Sequence, residues 1–152
     1  MLRGSGMKFY AITRADGGVE IMQTECDPAE CVAKWAPEHR AEITGEIREI
    51  ARSEVPTDRT FRNAWKADLT VDMPKAREIH RDTLRALRAP KLAALDVEYQ
   101  IADERGDAAA KAAVAVRKQA LRDVTDDPAI NAATTPAALK RVIQAALLEP
   151  HQ

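Results

Sequence analysis

The chain has 152 residues and a formal net charge of −1, so no global positive field draws it to nucleic acid or to an anionic membrane. Hydrophobic residues make up 45% but aromatics only 4%, a balance that suits closely packed helices better than a large aromatic core. No apolar run approaches the roughly 20 residues needed to cross a bilayer as a helix, and the 31% of charged residues predicts much solvated helix surface.

Residues 1–6 include Arg3-Gly4-Ser5-Gly6 and read as a tag or extension, with Met7 as the expected native start. Residues 7–58 are expected to form a small α+β module. Met7 to Arg14 alternates around Phe9 and Ile12, Ala15-Asp16-Gly17-Gly18 makes a turn, and Val19-Glu20-Ile21-Met22 is a second β-prone run. Together they predict a β-hairpin. Asp27-Pro28 opens a short helix, aspartate capping and proline sitting in the first turn, with Val32 and Trp35 as its buried side. Pro37 ends or restarts it. Ile43, Ile47 and Ile50 fit either a helix or a third strand; Gly45 would interrupt a helix, so the strand is preferred.

Val55 to Asp58 reads as a loop, followed by the basic and aromatic cluster Arg59-Thr60-Phe61-Arg62-Asn63-Ala64-Trp65. Phe61 and Trp65 are expected to anchor the junction with a helical module over 59–152. Asp72 and Pro74 mark the start of a helix with the stripe Ala76, Ile79, Thr83, Leu84 and Leu87. Pro90 should kink or split it. Leu92, Leu95, Tyr99 and Ala102 then recur at three, four and three, a seam suited to a partner helix. Gly106 stops the run. Asp107 to Val124 should fold back antiparallel on it, presenting Ala113, Val116, Ala120 and Val124. Asp126-Asp127-Pro128 ends that helix. Thr135-Pro136 caps a last one through Leu148, with Leu139, Val142, Ile143 and Ala146 as its apolar side. The fold class is therefore α+β: a hairpin or three-stranded sheet with a short helix, then a mainly helical hairpin or bundle.

Chemistry-bearing residues are sparse. His39, His80 and His151 stand in no catalytic spacing. Cys26 and Cys31 have no second pair to complete a zinc site, and their pairing with each other is open. No glycine cluster forms a phosphate-cradling loop. The expectation is a protein with no catalytic residue, metal or cofactor. Between Pro74 and Lys91 six basic residues stand against two acids, a local charge of +4. Arg77, Arg81, Arg85 and Arg88 share one helix face there, which could hold a partner or a phosphate backbone. Asp96 to Asp107 carries −4, so mutual neutralisation or a protein partner is preferred to nucleic acid.

Phe61-Arg62-Asn63-Ala64-Trp65, Asp72-Met73-Pro74-Lys75-Ala76-Arg77-Glu78-Ile79-His80-Arg81, Leu92-Ala93-Ala94-Leu95-Asp96 and Lys118-Gln119-Ala120-Leu121-Arg122-Asp123 resemble the bacteriophage tail assembly chaperone and tail-fibre assembly class. The resemblance covers about residues 59–130. Val97 and Glu98 stand where that class often carries a tryptophan at or just after the aspartate of the Ala-Leu-Asp segment, so only the general role transfers. It implies no enzyme activity. It implies binding to a phage tail or tail-fibre protein, in the cytoplasm of the bacterial host or on the virion; the arginine face and the seam, read from charge and spacing, make Arg77, Arg81, Arg85, Arg88, Leu92, Leu95, Tyr99 and Ala102 the expected contact residues. Homo-oligomerisation through the same seam is an accompanying expectation. The competing readings are a phage-encoded inhibitor of a host defence protein and a small nucleic-acid binder.

Overall fold

Local chemistry fixes the N-terminal sheet. In the computed structural model, which describes residues 6–148, β1 (Lys8–Arg14) is central, flanked by β2 (Val19–Thr24) and β3 (Ile43–Ile50), both antiparallel to it. Apart from Gly6, the tag-like residues lie outside the described range. The hairpin turn works because Gly17 takes φ +79° and the Asp16 carboxylate accepts the Gly18 N–H at 2.9 Å. The expected third strand is present, and a bulge within it accounts for the helix-like spacing between Ile43 and Ile47. β1 pairs Ile12 with Ile47 and then Arg14 with Ile43, so β3 bulges between them. Gly45 sits in the bulge at φ +85°, and the Thr44 hydroxyl donates to the Thr13 carbonyl at 3.2 Å.

The connection between β2 and β3 carries α1 (Pro28–Ala33) and α2 (Pro37–Ala41). Asp27 caps α1 by accepting from the N–H groups of Ala29 and Glu30, as its place before proline predicts. Val32 and Trp35 are half-buried rather than fully enclosed.

After β3, short 3₁₀ turns at Arg52–Glu54 and Arg62–Ala64 bring Trp65 into the core formed by Ala11, Val19 and Ile50. Leu69 and Val71 pack against the same cluster, while Trp65 bridges Val71 and Lys66 bridges Gly18. The chain accordingly divides after Asp72, later than the expected boundary at 58/59. The basic and aromatic cluster belongs to the sheet unit because burying an indole in its small core outweighs any helical propensity of the segment.

The helical unit begins with α3 (Met73–Glu104), 32 residues that run through Pro90 without a break. Proline costs this helix one N–H, not its continuity. Its end is a Schellman motif: Gly106 at φ +66° donates to Asp103 O, and Asp107 N donates to Ala102 O at 2.9 Å. Asp107 then caps α4 (Ala108–Asp123) by accepting from Ala110 N. Ion pairs Asp103–Lys111, Glu98–Arg117 and Asp96–Lys118 run in opposite chain order, so α4 returns antiparallel along α3 as the short link predicts.

Two expectations fail here. The face that α4 turns inward carries Val114 and Leu121, with Val124 beyond its end; Ala113, Val116 and Ala120 are exposed. The expected single C-terminal helix is instead α6 (Pro136–Lys140) and α7 (Ala145–Leu148). Between them the Val142 carbonyl accepts from His80 Nε2 at 2.9 Å, and Gln144 donates to Asp127, which opens the helix at the β-branched Val142-Ile143 pair. Asp127 also caps an additional turn of helix, α5 (Pro128–Ala132).

Candidate functional site

The arginine row of α3 does share one face, but that face is turned inward. Arg88 donates to the Leu121 and Arg122 carbonyls, the latter at 2.6 Å, so its guanidinium closes the C-terminal end of α4 where carbonyls lack helical partners. Arg81 donates to Thr125 O and to Asn131 Oδ1, and it pairs with Glu78. Arg77 donates to Ala133 O at 2.9 Å. Arg85 is the outlier, an exposed ion pair with Asp82. Three of the four expected contact arginines are thus hydrogen-bonded within the chain to α4, α5 and the turns beside them.

The expected seam is also intramolecular. Leu95 and Ala102 are 2% and 6% exposed, and Leu92 and Tyr99 are half-buried. Tyr99 lies beneath Lys111 and Lys118, whose ammonium groups are 5.2 and 5.1 Å from its ring centroid. Those lysines also pair with Asp103 and Asp96, so one edge of the hairpin is closed by charge and by cation–π contact. The Lys111 pKa is raised, chiefly by its hydrogen bond to Asp103. The exposed strip expected at Leu92–Ala102 does not exist, because α4 covers it with Val114 and Leu121 rather than with alanines alone.

The other edge is different. Leu87, Pro90, Ala94, Val97 and Ile101 recur at three, four, three and four along α3, so they share a stripe beside Glu98. Leu87, Val97 and Ile101 are 48%, 59% and 42% exposed. On α4, Ala109, Ala113, Val116 and Ala120 form a matching stripe beside Arg117, with Val116 70% exposed. The Glu98–Arg117 pair at 2.8 Å joins the two helices between these stripes, so both lie on one flank of the hairpin. Further towards the α3 N-terminus, the same stripe is buried at Ala76 and His80, where Val142 meets it. The flank is the uncovered continuation of that contact. Its spacing is legible in the sequence, but it competes there with the equally regular Leu92–Ala102 series, and only the position of α4 decides between them.

The sheet unit holds a second feature. A pocket of about 310 Å³ is lined by Arg14, Glu20, Arg59, Arg62 and Asn63 over an apolar wall that includes Trp65. Glu20 is bonded to His39 at 3.0 Å, which raises the His39 pKa, and Trp35 packs on the His39 ring. Among the described residues no group of three or more His, Cys, Asp or Glu side chains could hold a metal ion, and both cysteines are free thiols. No described helix is long and apolar enough to cross a membrane. No protein-family model, curated protein or solved structure matches the chain.

Proposed function

We propose that this protein is a non-enzymatic assembly protein of a bacteriophage tail or tail fibre, holding an amphipathic helix of its partner on the exposed flank of the α3–α4 hairpin. The observation that carries the reading is the flank itself: branched apolar side chains at heptad-like spacing on one helix, small residues on the other, and an ion pair between them. Alanines at 109, 113 and 120 allow a third helix to approach closely, while Leu87, Val97, Ile101 and Val116 supply the apolar area. The covered start of the stripe, at Ala76 and His80, supports the same use, because the chain's own C-terminal segment already packs there. The resemblance of residues 59–130 to the tail assembly class supplies the identity of the partner. The host cytoplasm, before or during virion assembly, is where such binding would act.

The inward direction of Arg77, Arg81 and Arg88 favours a protein partner over nucleic acid, since their donors already serve carbonyls. Co-expression with bacteriophage tail and tail-fibre proteins tests the reading. The wild type should co-purify with one of them, and Val97→Asp combined with Val116→Asp should abolish capture while leaving the circular dichroism spectrum unchanged. Retention of the partner by the folded double variant would overturn the assignment of the flank.

A further inference from the structure

The basic and aromatic cluster of residues 59–65 takes no part in the hairpin flank, yet its arrangement is specific. We propose that the sheet unit binds a small phosphate monoester in the pocket lined by Arg14, Arg59, Arg62, Asn63 and Trp65. β2 is an edge strand, and the segment ending at Trp65 closes against it through the bridge between Gly18 and Lys66. That closure places Arg59 and Arg62 opposite Val19, Glu20 and Ile21 around one cavity.

Charge pairing selects the ligand. Arg14 is paired with Asp16 at 2.9 Å, and Glu20 is bonded to His39 at 3.0 Å. Arg59 and Arg62 have no side-chain ion-pair or hydrogen-bond partner among the described residues, so two unpaired guanidinium groups face the pocket, with the Glu20 carboxylate on the same wall held by His39. A phosphate monoester carries about −1.5 to −2 at neutral pH and presents three acceptor oxygens, so it neutralises both guanidinium groups. A lone carboxylate would leave one of them unmatched. Arg14 Nε is buried without an acceptor among the described residues, a further sign of a donor-rich wall. Asn63 adds an amide able to donate or accept, and the Trp65, Val19 and Ile21 side gives an apolar surface for the organic remainder of the ligand. At about 310 Å³ the cavity is at the small end of ligand sites, enough for a phosphate and a few carbons.

Titration of the full chain with inorganic phosphate, glycerol phosphate, O-phosphoserine, a phosphoserine peptide and acetate, followed by ¹H–¹⁵N NMR, tests this. Phosphate and glycerol phosphate should give saturable shifts concentrated at 14, 19–21 and 59–65, including the Trp65 indole N–H, with a Kd below about 1 mM and acetate at least tenfold weaker. Arg59→Gln combined with Arg62→Gln should weaken binding by about tenfold or more with an unchanged spectrum elsewhere, because both side chains are exposed. The peptide binding much more tightly than O-phosphoserine would identify a protein as the source of the phosphate; equal binding would identify a free metabolite. Shifts that do not saturate, that acetate reproduces, or that survive the double substitution overturn the proposal.

Discussion

The sheet unit and the helical unit solve the same packing problem with different side chains. The sheet unit closes a small core by burying one large group, Trp65, against Ala11, Val19 and Ile50. The helical unit has α4 built largely of alanine, whose small side chains permit close approach but supply little shape to fix one arrangement. Beside the buried Leu84, Val124, Ile130 and Leu139, polar clamps help to supply it: Arg77, Arg81, Arg88 and His80 each donate to a backbone carbonyl far along the chain. Both units bury large apolar groups, and in the helical unit long-range hydrogen bonds to carbonyls add to what specifies the arrangement.

Substitutions can break that contrast. Trp65→Ala should cost the sheet unit about 3–5 kcal/mol, as expected for truncating a buried aromatic, and thermal unfolding of the full chain should show it. The excised residues 73–152 should remain helical by circular dichroism, because caps at Asp107 and Asp127 and the clamps all lie within them; a coil spectrum would show that this unit is not self-contained. Leu84→Ala, at a fully buried position, should cost roughly 2–5 kcal/mol.

Arg88→Ala is the sharper test of the clamps. It should cost about 1.5–3 kcal/mol, the range for hydrogen bonds made by a charged donor, whereas Arg85→Ala on the same row should stay within about 0.5 kcal/mol because its ion pair is exposed. Equal effects would mean that the inward direction of the row carries no stability. The smallest effect concerns His39, whose pKa is raised chiefly by its hydrogen bond to Glu20. Its stabilising contribution is full below the ordinary value near 6.5 and is lost as pH rises through the folded value. His39→Gln should therefore lower Tm more at pH 5.5 than at pH 8.

Legibility in the sequence follows the same division. Residues with a single conformational use announced themselves: Asp16-Gly17 made the hairpin turn, Asp27-Pro28 a capped helix and Gly106 a helix stop, while Gly45 argued against a helix over 43–50 without revealing the bulge it occupies. The boundary after Asp72 was hidden because the burial of Trp65 against Ala11 and Val19 is a long-range contact. The inward face of α4 was hidden for another reason. Alanine stands on every side of that helix, so periodicity could not choose between Val116 and Val114, and Leu121 was the one strong marker. The arginine row was correctly placed on one face, yet its direction depends on carbonyls 33 to 56 residues away.

The orientation of α3 is the central claim, since it makes Leu92–Ala102 interior and Leu87–Ile101 a free flank. Thiol labelling tests it directly. With Cys26 and Cys31 replaced by serine, Val97→Cys and Leu95→Cys are each reacted with a maleimide under native conditions. Position 97 should label at the rate of an exposed thiol, and position 95 should be protected until the chain unfolds. Equal rates, or protection of 97 with free labelling of 95, would contradict the account.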